Sequence, residues 1–180
     1  MLQDPDLLYW VVGRVSGLSC YAALSISVLS GLTIRSRSGA AWTGRKPLVA
    51  LHEYTTVLWM PLGLIHVQAL LLDHISALSV WDAVIPFRAG YGTVGIGLGS
   101  IAFDLIVLLA ITTWARRFLS PAAWLFIHRL AYPAFVFQFL HSVLSGTDFS
   151  QPPIAIFTWG CAAALAVAGA ARVSTLLKPA

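Results

Sequence analysis

Five apolar runs, each about as long as a bilayer is thick, constrain this chain more than any other feature. A transmembrane helix needs about 20 mainly apolar residues. The runs that meet this length lie at residues 8–32, 48–72, 93–114, 122–144 and 154–172. Because a lone strand in lipid would leave its backbone groups unpaired, each run is predicted to be a helix. The sequence therefore predicts an all-α integral membrane protein, a bundle of five transmembrane helices that forms one domain over residues 1–180.

The composition also favours a bilayer environment. Hydrophobic residues make up 58% of the chain and charged residues only 10%, whereas a soluble domain has about 25% charged residues. The formal net charge of +4 does not require a nucleic-acid partner, because surplus Lys and Arg in membrane proteins usually mark cytoplasmic loops. We therefore expect membrane lipid to surround the chain, and we expect no nucleic acid to bind it.

Charged loop residues alternate between the two sides of the predicted bundle. The segments that follow the first, third and fifth runs contain cations, namely Arg35, Arg37, Arg45, Lys46, Arg116, Arg117, Arg172 and Lys178. The opposite side has Arg88 as its one loop cation and carries the acidic residues Asp4, Asp6, Asp73, Asp82 and Asp148. Since cationic loops stay in the cytoplasm, we predict a multi-pass plasma-membrane protein with its N-terminus outside and its C-terminus in the cytoplasm.

Four histidines lie on two of the predicted helices. His52 and His66 are fourteen residues apart on the second span, and His128 and His141 are thirteen apart on the fourth. These spans run in the same direction, so His52 and His128 share an inner level and His66 and His141 an outer level, about 20 Å away. Neutral imidazole is a common axial ligand of haem iron. The geometry favours two stacked b-type haems, each bound between one histidine of either helix.

Other uses of these residues stay open on sequence grounds. Histidine in hydrocarbon is unfavourable without a partner, and a proton relay or a non-haem metal site would also provide one. A haem-free proton or metal-ion transporter would use the same histidines together with Asp104, near the middle of the third span. A third hypothesis is a haem-bearing anchor subunit of a larger redox complex. His74, in an outer loop, does not fit the pattern and is interpreted as a solvated or headgroup-level residue.

The spacing on the fourth span does not match a regular helix. Fourteen residues return to within about 40° of the same helix face, whereas thirteen miss it by about 140°. Pro133 lies between His128 and His141 and can kink or overwind a helix. We therefore predict irregular geometry near Pro133. Pro61 lies between His52 and His66 and could act in the same way, although the fourteen-residue spacing already brings these two histidines close to one helix face.

Two arginines are candidate ligands of haem propionates. Arg14 lies inside the outer end of the first span, and Arg129 follows His128 near the inner face. A buried guanidinium needs an anion, and a propionate would supply one; snorkelling of either side chain to the headgroups is the alternative. Small-xxx-small glycine patterns on the first and third spans favour close helix packing, and such glycines also make room for a porphyrin; they are Gly13, Gly17, Gly92, Gly95 and Gly99.

A His-x13-His span followed two helices later by a His-x12-His span resembles the ferric reductase-like transmembrane domain. That superfamily includes NADPH oxidases, ferric reductases and the haem subunit of a bacterial periplasmic methionine-sulfoxide reductase system. The similarity covers about residues 9–150 and includes the weaker motifs Arg14-x-x-Gly17, Trp81-Asp-Ala-Val-Ile-Pro-Phe87, Ala102-Phe-Asp-Leu105, Trp124-x-x-x-His128 and Leu140-His-Ser-Val-Leu-Ser-Gly-Thr-Asp148. The resemblance implies that His52 and His128 hold the inner haem iron, that His66 and His141 hold the outer one, and that electrons move outward.

The chain departs from oxidases and eukaryotic ferric reductases after its fifth span. About eight residues follow, with no Gly-rich dinucleotide motif and no flavin-binding domain. The resemblance therefore implies an oxidoreductase-type membrane subunit and leaves its own enzymatic activity open. The electron donor is expected to be a separate protein or a quinol. The outer acceptor is expected to be ferric iron, oxygen or a periplasmic redox protein.

Overall fold

A computed structural model describes residues 5–34 and 44–176 of the chain. Within those ranges the protein is helical, with no strand. The α-helices are α1 (Pro5–Ile34), α2 (Arg45–Leu72), α3 (Val80–Val84), α4 (Thr93–Trp114), α5 (Pro121–His128), α6 (Ala131–Ser145) and α7 (Pro152–Leu176), and two short 3₁₀ helices cover Ala115–Phe118 and Thr147–Ser150.

Five helical segments are long and apolar enough to cross a membrane. They are Pro5–Ile34, Arg45–Leu72, Thr93–Phe118, Pro121–Ser145 and Pro152–Ser174. Each contains one of the five predicted spans, so the prediction of an all-α, multi-pass chain is confirmed at that level. Four residues of the predicted charge pattern, Asp4, Arg35, Arg37 and Lys178, lie outside the described ranges.

The spans pack as two pairs, α1 along α2 and α4 along α6, with only slight contact between α2 and α4. Helix α1 is the centre of the core, where Tyr21 and Leu24 are almost fully buried beside Trp59 and Phe135. The Tyr21 hydroxyl also donates a hydrogen bond to the Thr158 carbonyl, 3.1 Å away, and so fastens α7 to α1. The loose contact between the pairs leaves space inside the bundle.

The fourth span is broken at the turn between α5 and α6, as the position of Pro133 predicted. In a regular helix the Arg129 carbonyl would accept a hydrogen bond from residue 133, but proline has no N–H. The carbonyl instead accepts from Tyr132 N at 3.1 Å, and Leu130 N donates to Ile127 O at 2.8 Å. These i to i−3 bonds wind the chain more tightly than an α-helix. The overwinding changes the register between the two histidines of this span, whereas α2 stays continuous through its proline.

The outer loop between α2 and α4 folds against α4. Ser79 donates backbone and hydroxyl hydrogen bonds to the Asp82 carboxylate, and Ser100 of α4 donates to the Asp82 carbonyl at 2.9 Å. Phe87 has a left-handed φ of 62°, an unfavourable conformation for a bulky residue. Its ring and backbone lie directly against Gly97. The loop is therefore held to α4 at a point where α4 has no side chain.

Replacing Gly97 with alanine is expected to loosen this loop. The added Cβ would lie 2.7 Å from the Phe87 backbone nitrogen, so relief requires movement of the loop backbone. Overpacking of this kind lowers the free energy of unfolding by about 1–3 kcal/mol, which thermal unfolding in detergent would measure. Gly160→Ala is the matched control, because its Cβ meets no atom within 4 Å. Equal unfolding temperatures for the two variants would contradict the role given to Gly97.

Candidate functional site

Two cavities lie one above the other between the helix pairs. The outer cavity has a volume of about 190 Å³ and has His66 and His141 in its wall. The inner cavity has a volume of about 300 Å³ and has His52 and His128 in its wall. Trp59, Met60 and Ala110 line both cavities, which places the two spaces at adjoining depths. The walls are mainly apolar, so each cavity suits a hydrophobic group.

The histidines face each other in the pairs predicted from the topology. The ring centroids of His52 and His128 are 6.0 Å apart and their planes meet at 83°. Those of His66 and His141 are 6.3 Å apart at 74°. An imidazole nitrogen binds a transition metal such as zinc at about 2.0–2.1 Å, so two rings on opposite sides of one ion have centroids about 6 Å apart. Both pairs therefore have the separation of two axial ligands.

Backbone carbonyls of neighbouring helices orient three of the four imidazoles. The donated hydrogen bonds are His52 Nδ1 to Ser27 O (2.8 Å), His66 Nδ1 to Gly13 O (2.7 Å) and His141 Nδ1 to Gly95 O (2.9 Å). A carbonyl can only accept, so Nδ1 carries the hydrogen in each ring. The lone pair of a neutral imidazole is then on Nε2. Metal-ligating histidines usually have this arrangement, in which the second nitrogen is fixed by a hydrogen bond.

A glycine stands four residues after each of these carbonyls and lies against the same imidazole. A Cβ at Gly17 would be 2.7 Å from His66 Nδ1, and one at Gly99 would be 2.6 Å from His141 Nδ1. At Gly31 the nearest atom would be His52 Cε1, at 3.2 Å. The sequence indicated only helix packing or room for a porphyrin at Gly17 and Gly99. In the structure these glycines make room for the rings themselves, one turn beyond the carbonyl that each ring binds.

His128 is held by aromatic stacking. Its ring lies 4.8 Å from that of Trp124, with 15° between the planes. The Arg116 guanidinium covers Trp124 at 4.3 Å, in cation–π geometry. On sequence grounds Trp124 is only part of a weak motif. Its position four residues before His128 nevertheless predicts that the two side chains meet on one face of the helix.

Residues 8–148 match a family model described as a domain of unknown function (DUF8596). The chain belongs to the DUF8596 family. The matched region contains both histidine pairs, their carbonyl partners and the three glycines, and it ends before α7. No curated protein and no solved structure matches the chain.

The two arginines predicted to bind propionates have different surroundings in this DUF8596 chain. Arg14 forms an ion pair with Asp148 through two guanidinium nitrogens, one of them Nε at 2.7 Å from Oδ2. It also lies 4.3 Å above the Trp10 ring, so its charge has an anion and an aromatic face within the protein. Arg129 is exposed and lines the inner cavity. A propionate contact of either residue stays a prediction.

Three further ionisable residues, two of them outside both cavities, have different surroundings. His74 is 85% exposed and its Nδ1 is 3.0 Å from Asp6 Oδ1, in agreement with a solvated position. Asp82 lines the outer cavity from the loop; hydrogen bonds from Ser79, with a smaller contribution from Arg88, hold the pKa of its carboxyl below the usual range. Asp104 is exposed and lines neither cavity.

Proposed function

We propose that this protein transfers electrons across the membrane through two b-type haems. The observation that carries the proposal is the facing of His52 with His128 and of His66 with His141 across two cavities, at 6.0 and 6.3 Å. The first pair would hold the inner haem iron and the second pair the outer one. When bound, an iron with two imidazole ligands exchanges single electrons and has no open position for a further ligand.

The chain's own residues suit this task in three ways. The carbonyl hydrogen bonds fix the imidazole rings and raise the basicity of the ligating nitrogens. The glycines let the rings sit close to a neighbouring helix, where a methyl group would displace them. The mainly apolar walls favour a hydrophobic macrocycle. Together these features support a bis-histidine haem better than a hydrated ion path.

The direction of transfer rests on the sequence. The loop cations place His52 and His128 toward the cytoplasm under the positive-inside rule, in a plasma-membrane protein with an outer N-terminus. Electrons would therefore enter at the inner pair from a separate protein or a quinol. They would leave at the outer pair to ferric iron, oxygen or a periplasmic redox protein, as the resemblance to ferric reductase-like domains implies.

Two other functions share parts of this site. A proton or metal-ion relay would need Asp104 in line with the histidines, and Asp104 is absent from the walls of both cavities. The geometry thus favours haem over that relay. A haem-bearing anchor subunit would use the same ligands, and copurification with catalytic subunits would distinguish it from an independent conduit.

Haem content of the full chain tests the proposal. Protein purified from haem-replete cells is expected to contain two b-type haems per chain, both low-spin by electron paramagnetic resonance and both reducible. In sealed vesicles, reductant trapped on one side is expected to reduce ferricyanide on the other. Vesicles with the protein made in haem-deficient cells are the control. A colourless, haem-free preparation from haem-replete cells would contradict the proposal.

A further inference from the structure

Three side chains are in contact in series at the inner end of the bundle. The imidazole of His128 lies 4.8 Å from the ring of Trp124, with 15° between the planes, and the guanidinium carbon of Arg116 lies 4.3 Å above the same indole. Because both distances start from the indole, the guanidinium carbon and the imidazole centroid are at most about 9 Å apart. This series, here called the inner stack, joins an exposed cation to one of the proposed haem ligands.

The local backbone explains why these side chains meet. Arg116 lies in the 3₁₀ helix that connects α4 to α5, and its carbonyl accepts a hydrogen bond from Leu119 N at 3.1 Å. Ser120 follows at once as the N-cap of α5. Trp124 and His128 are four residues apart on α5 and therefore share one face of it. The short connection lets Arg116 reach that face.

The neighbouring arginine shows that this contact is specific to one position. Arg117 is the next residue of the same 3₁₀ helix and is also exposed. Its guanidinium lies 4.6 Å from the ring of Phe118, which is 72% exposed and lines neither cavity. The positive-inside rule accounts for the presence of both cations. Of the two, Arg116 is the one directed at the aromatic ring that contacts a histidine.

The charge of Arg116 has a predictable effect on an iron bound to His128. Oxidised haem carries one more positive charge than reduced haem, so a nearby cation favours the reduced form and raises the reduction potential. The separation of at most about 9 Å from the ligand ring is comparable with the Debye length of about 10 Å at 0.1 M salt, which falls to about 3 Å at 1 M. The effect should therefore be measurable at low salt and smaller at high salt.

We propose that Arg116 and Trp124 are positioning residues for the inner haem. Trp124 holds the plane of the His128 ring, and Arg116, through its place on Trp124, raises the reduction potential of the inner haem. The inference rests on the proposed haem function. Its consequence is that the inner haem, which receives electrons first, is easier for a cytoplasmic-side donor to reduce.

Potentiometric titration of the full chain tests the role of Arg116, with His66→Ala protein used to assign the inner haem. Arg116→Gln is expected to keep both haems, to lower the reduction potential of the inner one and to leave that of the outer one unchanged. The shift should shrink at about 1 M salt, because an exposed charge is screened, whereas a displaced ligand would not respond in this way. Arg116→Lys, which keeps the charge, should retain most of the wild-type potential.

Replacement of Trp124 tests the other part of the inner stack. Trp124→Leu is expected to weaken haem binding at the inner site about tenfold or more, the usual effect of losing a contact that orients a metal-bound histidine. It should also change the low-spin electron paramagnetic resonance signal of the inner haem, which depends on the angle between the two axial imidazole planes. Trp124→Phe keeps an aromatic ring and should retain most of the affinity and the signal.

Arg117→Gln is the matched control, because it removes a cation from the same 3₁₀ helix without touching the inner stack. An equal fall of the inner potential in Arg117→Gln and Arg116→Gln would assign the effect to total charge and overturn the inference. An unchanged potential in Arg116→Gln with both haems bound would overturn it as well, as would wild-type haem affinity and signal in Trp124→Leu. Haem-free wild-type protein would instead contradict the proposed function itself, and this inference with it.

Discussion

Replacing His66 or His141 with alanine is expected to remove the outer haem and leave the inner one bound. In the proposed arrangement each haem would have two axial ligands, and His66 and His141 line the same cavity, so loss of either should have the same result. Haem content per chain should fall by about half, and transfer across sealed vesicles should fall to the level of haem-free protein. His52→Ala and His128→Ala are expected to do the same at the inner site.

A histidine outside the cavities supplies the control for this series. His74 is 85% exposed in the outer loop, and His74→Ala is expected to retain both haems. Size-exclusion chromatography would separate loss of a haem from loss of the folded chain. If His66→Ala and His141→Ala kept the full haem content while remaining folded, the proposed pairing of these two residues would be wrong.

Adding a single methyl group at Gly99 is also expected to have a large effect, on the affinity for the outer haem. Gly99→Ala would place a Cβ 2.6 Å from His141 Nδ1, which forces the ring away from the Gly95 carbonyl. Loss of the hydrogen bond that orients a metal-bound histidine typically lowers affinity about 10–100-fold, and we expect a loss of this size at the outer haem. Gly17→Ala should act on the same haem through His66. Gly31→Ala, with a 3.2 Å approach to His52, should weaken the inner haem less.

Haem titration into protein made in haem-deficient cells would measure these differences, with reduction potentials as an independent readout. Gly160→Ala and Gly169→Ala are the controls, since a Cβ at either position meets nothing within 4 Å and neither residue lines a cavity. The test is the order of the losses in haem affinity, which should be larger for Gly99→Ala and Gly17→Ala than for Gly31→Ala. Equal haem affinity for Gly99→Ala and Gly160→Ala would contradict the role of the glycines as space for the rings.

The three carbonyl–glycine pairs explain why the histidines are confined so closely. A helical carbonyl already accepts from the N–H four residues later; here that later residue is the glycine over which the imidazole lies. One helix turn thus supplies both an acceptor for Nδ1 and the space for the ring. The arrangement occurs twice on α1 and once on α4. It leaves each Nε2 available on the opposite edge of the ring.

Local features predicted the spans and the break near Pro133 well. The apolar runs agree with the helices because a span needs about 20 mainly apolar residues, and the helices extend only a few residues beyond those runs. The break was predictable because a proline removes a specific backbone donor. The anion partner of Arg14 was not predictable in this way, since Asp148 is 134 residues distant along the chain.

The sequence by itself determined that the chain is a five-span helical membrane protein and that four of its histidines lie at two depths, because hydropathy and helix rise are properties of single segments. Only the tertiary structure decided how each histidine is held. Which carbonyl a ring meets, and which glycine leaves room for it, depends on the rotation and packing of neighbouring helices.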